Sequence, residues 1–202
     1  MNIIILGDKY QKRMKSRGCV ALIKHQNKNI LNHQYKIVNS CFPNSNILYI
    51  YGFDSKRLSS YVNKHIDYYE NVKFVYNELY ESRNNVYSLN LIKNQLNDSC
   101  IILFGDHLIK NSMFHNFNPT EESQVFISDK IKTRLGCIIN NDKIDNISYD
   151  LENYLSEVYY ISKNQMSLFK NLISNPSNHN CFIFEIFNKM IDLNQKILPY
   201  KI

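Results

Sequence analysis

Apolar residues in this chain fall into short unbroken blocks, and the stretches between them carry helical spacing. Residues 3–6, 47–51, 72–76 and 100–104 are dense in Ile, Leu, Val, Phe and Tyr. The unbroken ones, above all 100–104, suit parallel strands covered on both faces, and 72–76, broken by Lys73, reads as a further strand. Residues 30–38 predict a helix that stops near Pro43, and 55–64 predict another with Ser55 as its N-cap. Leu89, Ile92 and Leu96 continue the helical period, Asn97-Asp98-Ser99 punctuates it, and the 100–104 strand follows. Residues 9–17 read as a basic loop and 20–23 as a short extended piece. This alternation predicts a Rossmann-like α/β fold, a mixed but mostly parallel sheet flanked by helices.

After Pro119 the rhythm changes. Residues 124–128, 134–139 and 143–148 read as strands in quick succession, with Asn140-Asn141-Asp142 as a hairpin turn. Residues 157–161 predict a further strand. Ser162 is placed to cap a helix running through 173, and 182–193 predict another whose Phe184, Phe187, Met190 and Ile191 form a packing stripe. Residues 196–202 close the chain as a strand.

Composition narrows the classes. A chain of 202 residues fits one sizeable α/β domain over 1–202. The net charge of +6 suits nucleotide or phosphate ligands. The basic residues are scattered without a basic-aromatic repeat, which argues against nucleic acid as a partner. The five cysteines include no CxxC pair, so neither a disulfide framework nor a zinc site is expected, and a reducing, cytoplasmic compartment is. No apolar run reaches the roughly 18 residues of a membrane span, and residues 2–6 lack the basic start of a signal peptide. No P-loop, GxGxxG or Gly-x-Ser-x-Gly pattern is present.

Candidate chemistry begins at Gly105-Asp106. A carboxylate just past a buried parallel strand lies on the edge where open α/β sheets bind ligands. It is a candidate Mg²⁺ ligand, since Mg²⁺ favours one or two carboxylates plus substrate phosphates. The plain alternative is a solvated acidic residue after a strand. His107 and His115 match no firm metal template.

Three segments, IIILGDKYQKRM, QNKNILNHQ and VYNELYESRNNVYSLNLIKNQLNDSCIILFGDHLIKNSMF, resemble the sugar-phosphate and phosphocholine nucleotidyltransferases. The look is nearest to phosphocholine cytidylyltransferases. The resemblance is strong over about residues 2–117 and weaker beyond. It implies a nucleotide-binding half at 1–117 and an acceptor-side half at 118–202. It also implies transfer of a nucleoside monophosphate from an NTP, CTP or UTP, to a phosphomonoester acceptor, with Mg²⁺ as cofactor and release of pyrophosphate. Asp106 falls on the family's Mg²⁺ aspartate and Arg13 on its phosphate-loop arginine, the two catalytic positions. Leu6, Gly7, Asn85, Ser88 and Gly105 fall beside the nucleotide. Glu157-Val158-Tyr159-Tyr160 falls near the acceptor side. Aromatic faces there can hold a quaternary ammonium, although packing is the simpler reading of the two tyrosines.

The chain also departs from the family. Lys9 and Gln11 stand where the family has glycines, and Cys19-Val20 stands where it has Pro-Lys. Lys12, Lys15, Arg17 or Lys24 would have to supply the missing charge. The family's second metal aspartate lies beyond the segment ending at Ile202, with Asp8 only a conceivable substitute. A catalytically inactive nucleotide-binding or assembly protein of the same fold is therefore the alternative reading.

Overall fold

The computed structural model describes the whole chain except Tyr10, Gln11 and Ile131, and the side chains of Lys12, Arg13 and Met14. Among the described residues the strands are β1 (Asn2–Gly7), β2 (Lys24–His25), β3 (Lys28–Asn29), β4 (Asn46–Tyr51), β5 (Val72–Tyr76), β6 (Cys100–Phe104), β7 (Ser123–Ile127), β8 (Leu135–Asn140), β9 (Lys143–Tyr149), β10 (Leu155–Ile161) and β11 (Ile197–Lys201). The α-helices are α1 (Ile30–Cys41), α2 (Ser55–Asn63), α3 (Asn85–Leu91), α4 (Met166–Ser174) and α5 (Ile183–Asp192).

One seven-stranded sheet runs in the order β11-β7-β10-β6-β1-β4-β5. Every neighbouring pair is parallel except those of β10, which runs antiparallel to β6 and β7. The α/β architecture with a mostly parallel sheet is thus the one the apolar blocks predict. Ile3, Ile4, Ile5, Ile101, Ile102 and Leu103 are at most 1% exposed, as central strands covered on both faces require. Ile4, Leu6, Leu48 and Ile102 pack on one face with Leu89, Phe169, Ile173, Ile186 and Phe187 of α3, α4 and α5. Ile3, Ile5, Tyr49 and Leu103 pack on the other with Leu31 and Val38 of α1 and Leu58 and Val62 of α2.

Local chemistry corrects several boundaries. Residues 20–23 are not extended: Leu22 N–H donates to Cys19 O and Ile23 N–H to Val20 O, giving a 3-10 turn over Val20–Leu22. Ser55 is not an N-cap. Asp54 holds that place at φ 56°, and its carbonyl takes the Arg57 and Leu58 N–H groups. The third helix ends at Leu91 rather than running on to Leu96, and a 3-10 turn over Lys93–Gln95 replaces its last turn. Ser162 stands before its helix, which starts at Met166, and its hydroxyl accepts the Gln165 N–H at 3.3 Å. Asn141 and Asp142 both take positive φ (49° and 59°), the backbone of a primed hairpin turn, between β8 and β9. That hairpin stands off the main sheet. It docks on α5, where Asn188 donates to Ile147 O and accepts from Ile147 N.

No described helix is long and apolar enough to cross a membrane.

Candidate functional site

Strands β1 and β6 lie side by side, yet β1 leads on to β4 on its other flank, so the sheet changes direction between them. Crevices at such switch points are where open α/β sheets hold ligands. A cavity of about 810 Å³ opens there, walled by Leu6-Gly7-Asp8-Lys9 from one strand end and Phe104-Gly105-Asp106 from the other. The two strand ends approach so closely that neither Gly can carry a Cβ. A Cβ on Gly105 would lie 2.6 Å from Gly7 Cα, and one on Gly7 would run into the Tyr49 ring, 2.6 Å from its Cζ. Tyr49 is fully buried and its hydroxyl has no hydrogen-bond partner, so its ring acts as a space-filling floor under both glycines.

Gln34 of α1 fixes the loop that carries Asp106. Its amide is fully buried and donates to Phe104 O and to His107 O, both at 2.8 Å, bracketing Gly105-Asp106. The same helix is capped by Asn29, whose side chain accepts the Asn32 N–H at 2.8 Å. The segment QNKNILNHQ therefore builds a helix start and the clamp behind the acidic loop.

A second carboxylate reaches this wall from β10. Glu157 interrupts the β10–β7 register at a bulge, takes φ 58°, and lines the cavity. Its Oε2 lies 3.2 Å from His107 Nε2, and Asp106 Oδ1 lies 3.7 Å from the same nitrogen. The sequence reads 157–161 as a strand and the resemblance sets Glu157 near the acceptor side; the structure adds its approach to His107 and Asp106. Tyr159 and Tyr160 beside it are each 1% exposed and belong to the core. Burial pulls the His107 pKa down, but the hydrogen bond to Glu157 and the charges of Asp106 and Glu157 outweigh it and raise the value above that of free histidine. A raised folded-state pKa stabilises the fold below the unfolded value of about 6.5, and that contribution is lost as pH rises through the folded value. The expected result is that His107→Gln flattens this part of the stability-against-pH curve, read by urea denaturation between pH 5 and 9. A wild-type stability that does not fall across this window relative to the variant would contradict the pairing.

Asp8 is 1% exposed and accepts from the Ser88 hydroxyl at 2.8 Å and from Asn77 Nδ2 at 2.9 Å. Burial raises its pKa despite those two bonds and the nearby Lys9. For a raised carboxyl the stabilising state is the protonated one, so stability is lost as pH rises through the folded value and the ionised group costs free energy at pH 7. Asp8→Asn keeps an acceptor for both donors. It is expected to stabilise the protein at pH 7 and to do so less at pH 4, in chemical denaturation. Lys9 points its ammonium at the carbonyls of Tyr80 and Arg83, tying the strand end to the loop opposite, and burial lowers its pKa.

Of the residues singled out in the sequence, Leu6, Gly7, Asn85, Gly105 and Asp106 line one cavity. Ser88 does not. It is fully buried behind the wall and bonds Asp8. The Arg13 and Lys12 side chains lie outside the described residues. Lys15 and Arg17 are exposed on a 3-10 turn, and Lys24 faces a different groove. The described cations on the cavity wall are Lys9, Arg83 and Arg134. The guanidinium of Arg134 sits 5.8 Å from the centre of the Tyr149 ring. Asn84 caps α3 through its side chain, and its backbone N–H and amide reach His179 O and Asn180 O, which joins that helix to the far wall. Among the described residues no three His, Cys, Asp or Glu side chains are grouped to hold a metal ion.

The same fold recurs in solved structures. The CTP:phosphocholine cytidylyltransferase of Streptococcus pneumoniae superposes with a TM-score of 0.79 at 18% identity, over 100% of this chain and 89% of that one. The chain has a sugar-phosphate/phosphocholine nucleotidyltransferase-like fold. The inositol-1-phosphate CTP transferase of T. maritima shares this nucleotidyltransferase-like fold with a TM-score of 0.75 at 16% identity, over 99% and 84% of the two chains. A putative glucose-1-phosphate thymidylyltransferase of Bacillus anthracis also scores 0.75, at 18% identity over 100% and 87%. No protein-family model and no curated protein sequence matches the chain.

Proposed function

We propose that this protein transfers a nucleoside monophosphate from CTP or UTP to a phosphomonoester, a sugar phosphate or phosphocholine, and releases pyrophosphate. The observation that carries the reading is Asp106, held by the Gln34 clamp on the wall of the switch-point cavity in a nucleotidyltransferase-like fold. In the reaction an acceptor phosphate oxygen attacks the α-phosphorus, the bond to the β-phosphate oxygen breaks, and pyrophosphate leaves. Leu6, Gly7 and Gly105 border the nucleotide, and Ser88 acts through Asp8. The Asn85 side-chain oxygen is buried on the cavity wall without a partner, an acceptor suited to a pyrimidine N–H donor. Arg13, Arg83 and Arg134 hold phosphates. The 118–202 half supplies the acceptor wall through Arg134, Tyr149 and Glu157.

The donor set fits Mg²⁺ as an ion held by Asp106 together with substrate phosphates, with Glu157 near, and not as one held by a closed protein cage. When bound there, Mg²⁺ supplies neutralising charge to the phosphates. All five cysteines are free thiols, which supports a reducing cytoplasm as the compartment.

A second reading, a nucleotide-binding protein without turnover, draws on Lys9 and Asp8. The Lys9 ammonium is engaged by two carbonyls where the family has glycine, and Asp8 places a buried carboxylate beside the phosphate path. The test is Mg²⁺-dependent pyrophosphate release from each NTP with phosphocholine and a panel of sugar phosphates. Release with one acceptor establishes the first reading. Calorimetric nucleotide binding with no release from any acceptor establishes the second. No binding at millimolar nucleotide overturns both.

A further inference from the structure

A second concavity, of about 710 Å³, lies between α2, the N-terminus of α1 and the β2–β3 hairpin, and shares no residue with the cavity at the sheet edge. Five cations line it, Lys24, Lys28, Lys56, Arg57 and Lys64, and no carboxylate does. Among the described residues Arg57 alone of the five has a counter-charge, Asp54 at 3.9 Å. It also donates to Arg17 O at 3.3 Å. Among the described residues the four lysine ammonium groups make no hydrogen bond or ion pair, and all four residues are exposed. The whole chain carries only six more basic than acidic residues, 24 against 18, so this one groove holds cations nearly equal in number to the entire excess. Like charges gathered on a concave, low-dielectric wall repel one another and concentrate their field on the space they enclose.

The groove is not soft. The β2–β3 turn is set by Gln26 and Asn27 at positive φ (47° and 65°), which folds Lys28 back beside Lys24. On the opposite wall Tyr61 is stacked on His65 at 4.4 Å and bonded to Asn32 at 3.1 Å. The cations are thus carried by two fixed elements facing each other. The volume is that of a small-molecule site, and four ammonium groups with one guanidinium spread around it match the distributed charge of linked phosphates.

We propose that this groove binds a small oligophosphate anion, at a site separate from the cavity of Asp106. The test is calorimetry with inorganic tripolyphosphate and EDTA present, so that no divalent ion bridges to Asp106. Binding by the wild-type protein is expected, weaker at 500 mM than at 50 mM salt. Lys56→Glu/Lys64→Glu is expected to weaken it about tenfold or more, Lys28→Gln to weaken it less, and Asp106→Asn to leave it unchanged. All three lysines are exposed, and circular dichroism checks that the variants fold. Three results would each overturn the proposal. These are no heat at millimolar tripolyphosphate, binding insensitive to both lysine variants, and a single-stranded oligonucleotide that binds far more tightly and competes the tripolyphosphate off.

Discussion

Asp106→Asn is expected to abolish Mg²⁺-dependent nucleotide binding and to cut any pyrophosphate release by about a hundredfold or more, the usual scale when a preorganised charge partner of a transferring phosphate is lost. The substitution is nearly isosteric, so the bracket of Gln34 bonds to Phe104 O and His107 O stays in place. The variant should therefore fold as the wild type does. A readout independent of activity accompanies it. Asp106 is one of the charges that hold the His107 pKa up, so its neutralisation lowers that pKa toward the free-histidine value, visible by NMR titration of the imidazole. If nucleotide binding persists in the variant while the His107 titration shifts, Asp106 is an electrostatic neighbour of the histidine and not a ligand for the phosphate-bound ion. If neither changes, the placement of Asp106 on the cavity wall is wrong.

The parts of this site legible in the sequence are those dictated by local pattern. The unbroken apolar block of 100–104 predicts a doubly covered strand, and Gly105-Asp106 then falls at its edge by counting alone. The apolar block of 3–6 likewise brings the chain to Gly7 at the neighbouring strand end. What pattern does not reach is pairing between distant segments. Glu157 comes to Asp106 only because β10 runs antiparallel beside β6 and bulges there. Periodicity places a residue on a face but does not announce an inserted bulge. Ser88 is a different case. Its segment matches a nucleotide-proximal turn, yet one face of α3 turns inward, and the hydroxyl is consumed by the buried carboxylate of Asp8. The charge groove is likewise invisible along the chain, because its lysines come from residues 24–28 and 56–64, each unremarkable until α2 packs beside the hairpin.

Gly105→Ala is expected to destabilise the protein by about 3 kcal/mol, measured as a drop in the urea midpoint. The reason lies in what the new methyl meets. It would contact the Gly7 Cα at 2.6 Å and the Gly7 backbone N at 3.1 Å. Backbone in a central strand cannot move without breaking the pairing of β1 with β6, which includes the Gly105 N–H bond to Leu6 O at 2.8 Å. Gly7→Ala differs in kind, since its methyl meets the Tyr49 ring, a side chain. A smaller residue there, Tyr49→Leu, is expected to absorb most of the Gly7→Ala penalty, at the cost of its own cavity, and to leave the Gly105→Ala penalty almost intact. Tyr49→Phe alone should be neutral or slightly stabilising, because it deletes a buried hydroxyl that has no partner. If Tyr49→Leu rescues both alanine variants equally, the ring rather than the strand spacing limits the strand ends. If it rescues only Gly7→Ala, the separation of β1 and β6 at their carboxyl ends is what the two glycines protect, and with it the width of the cavity that Asp106 faces.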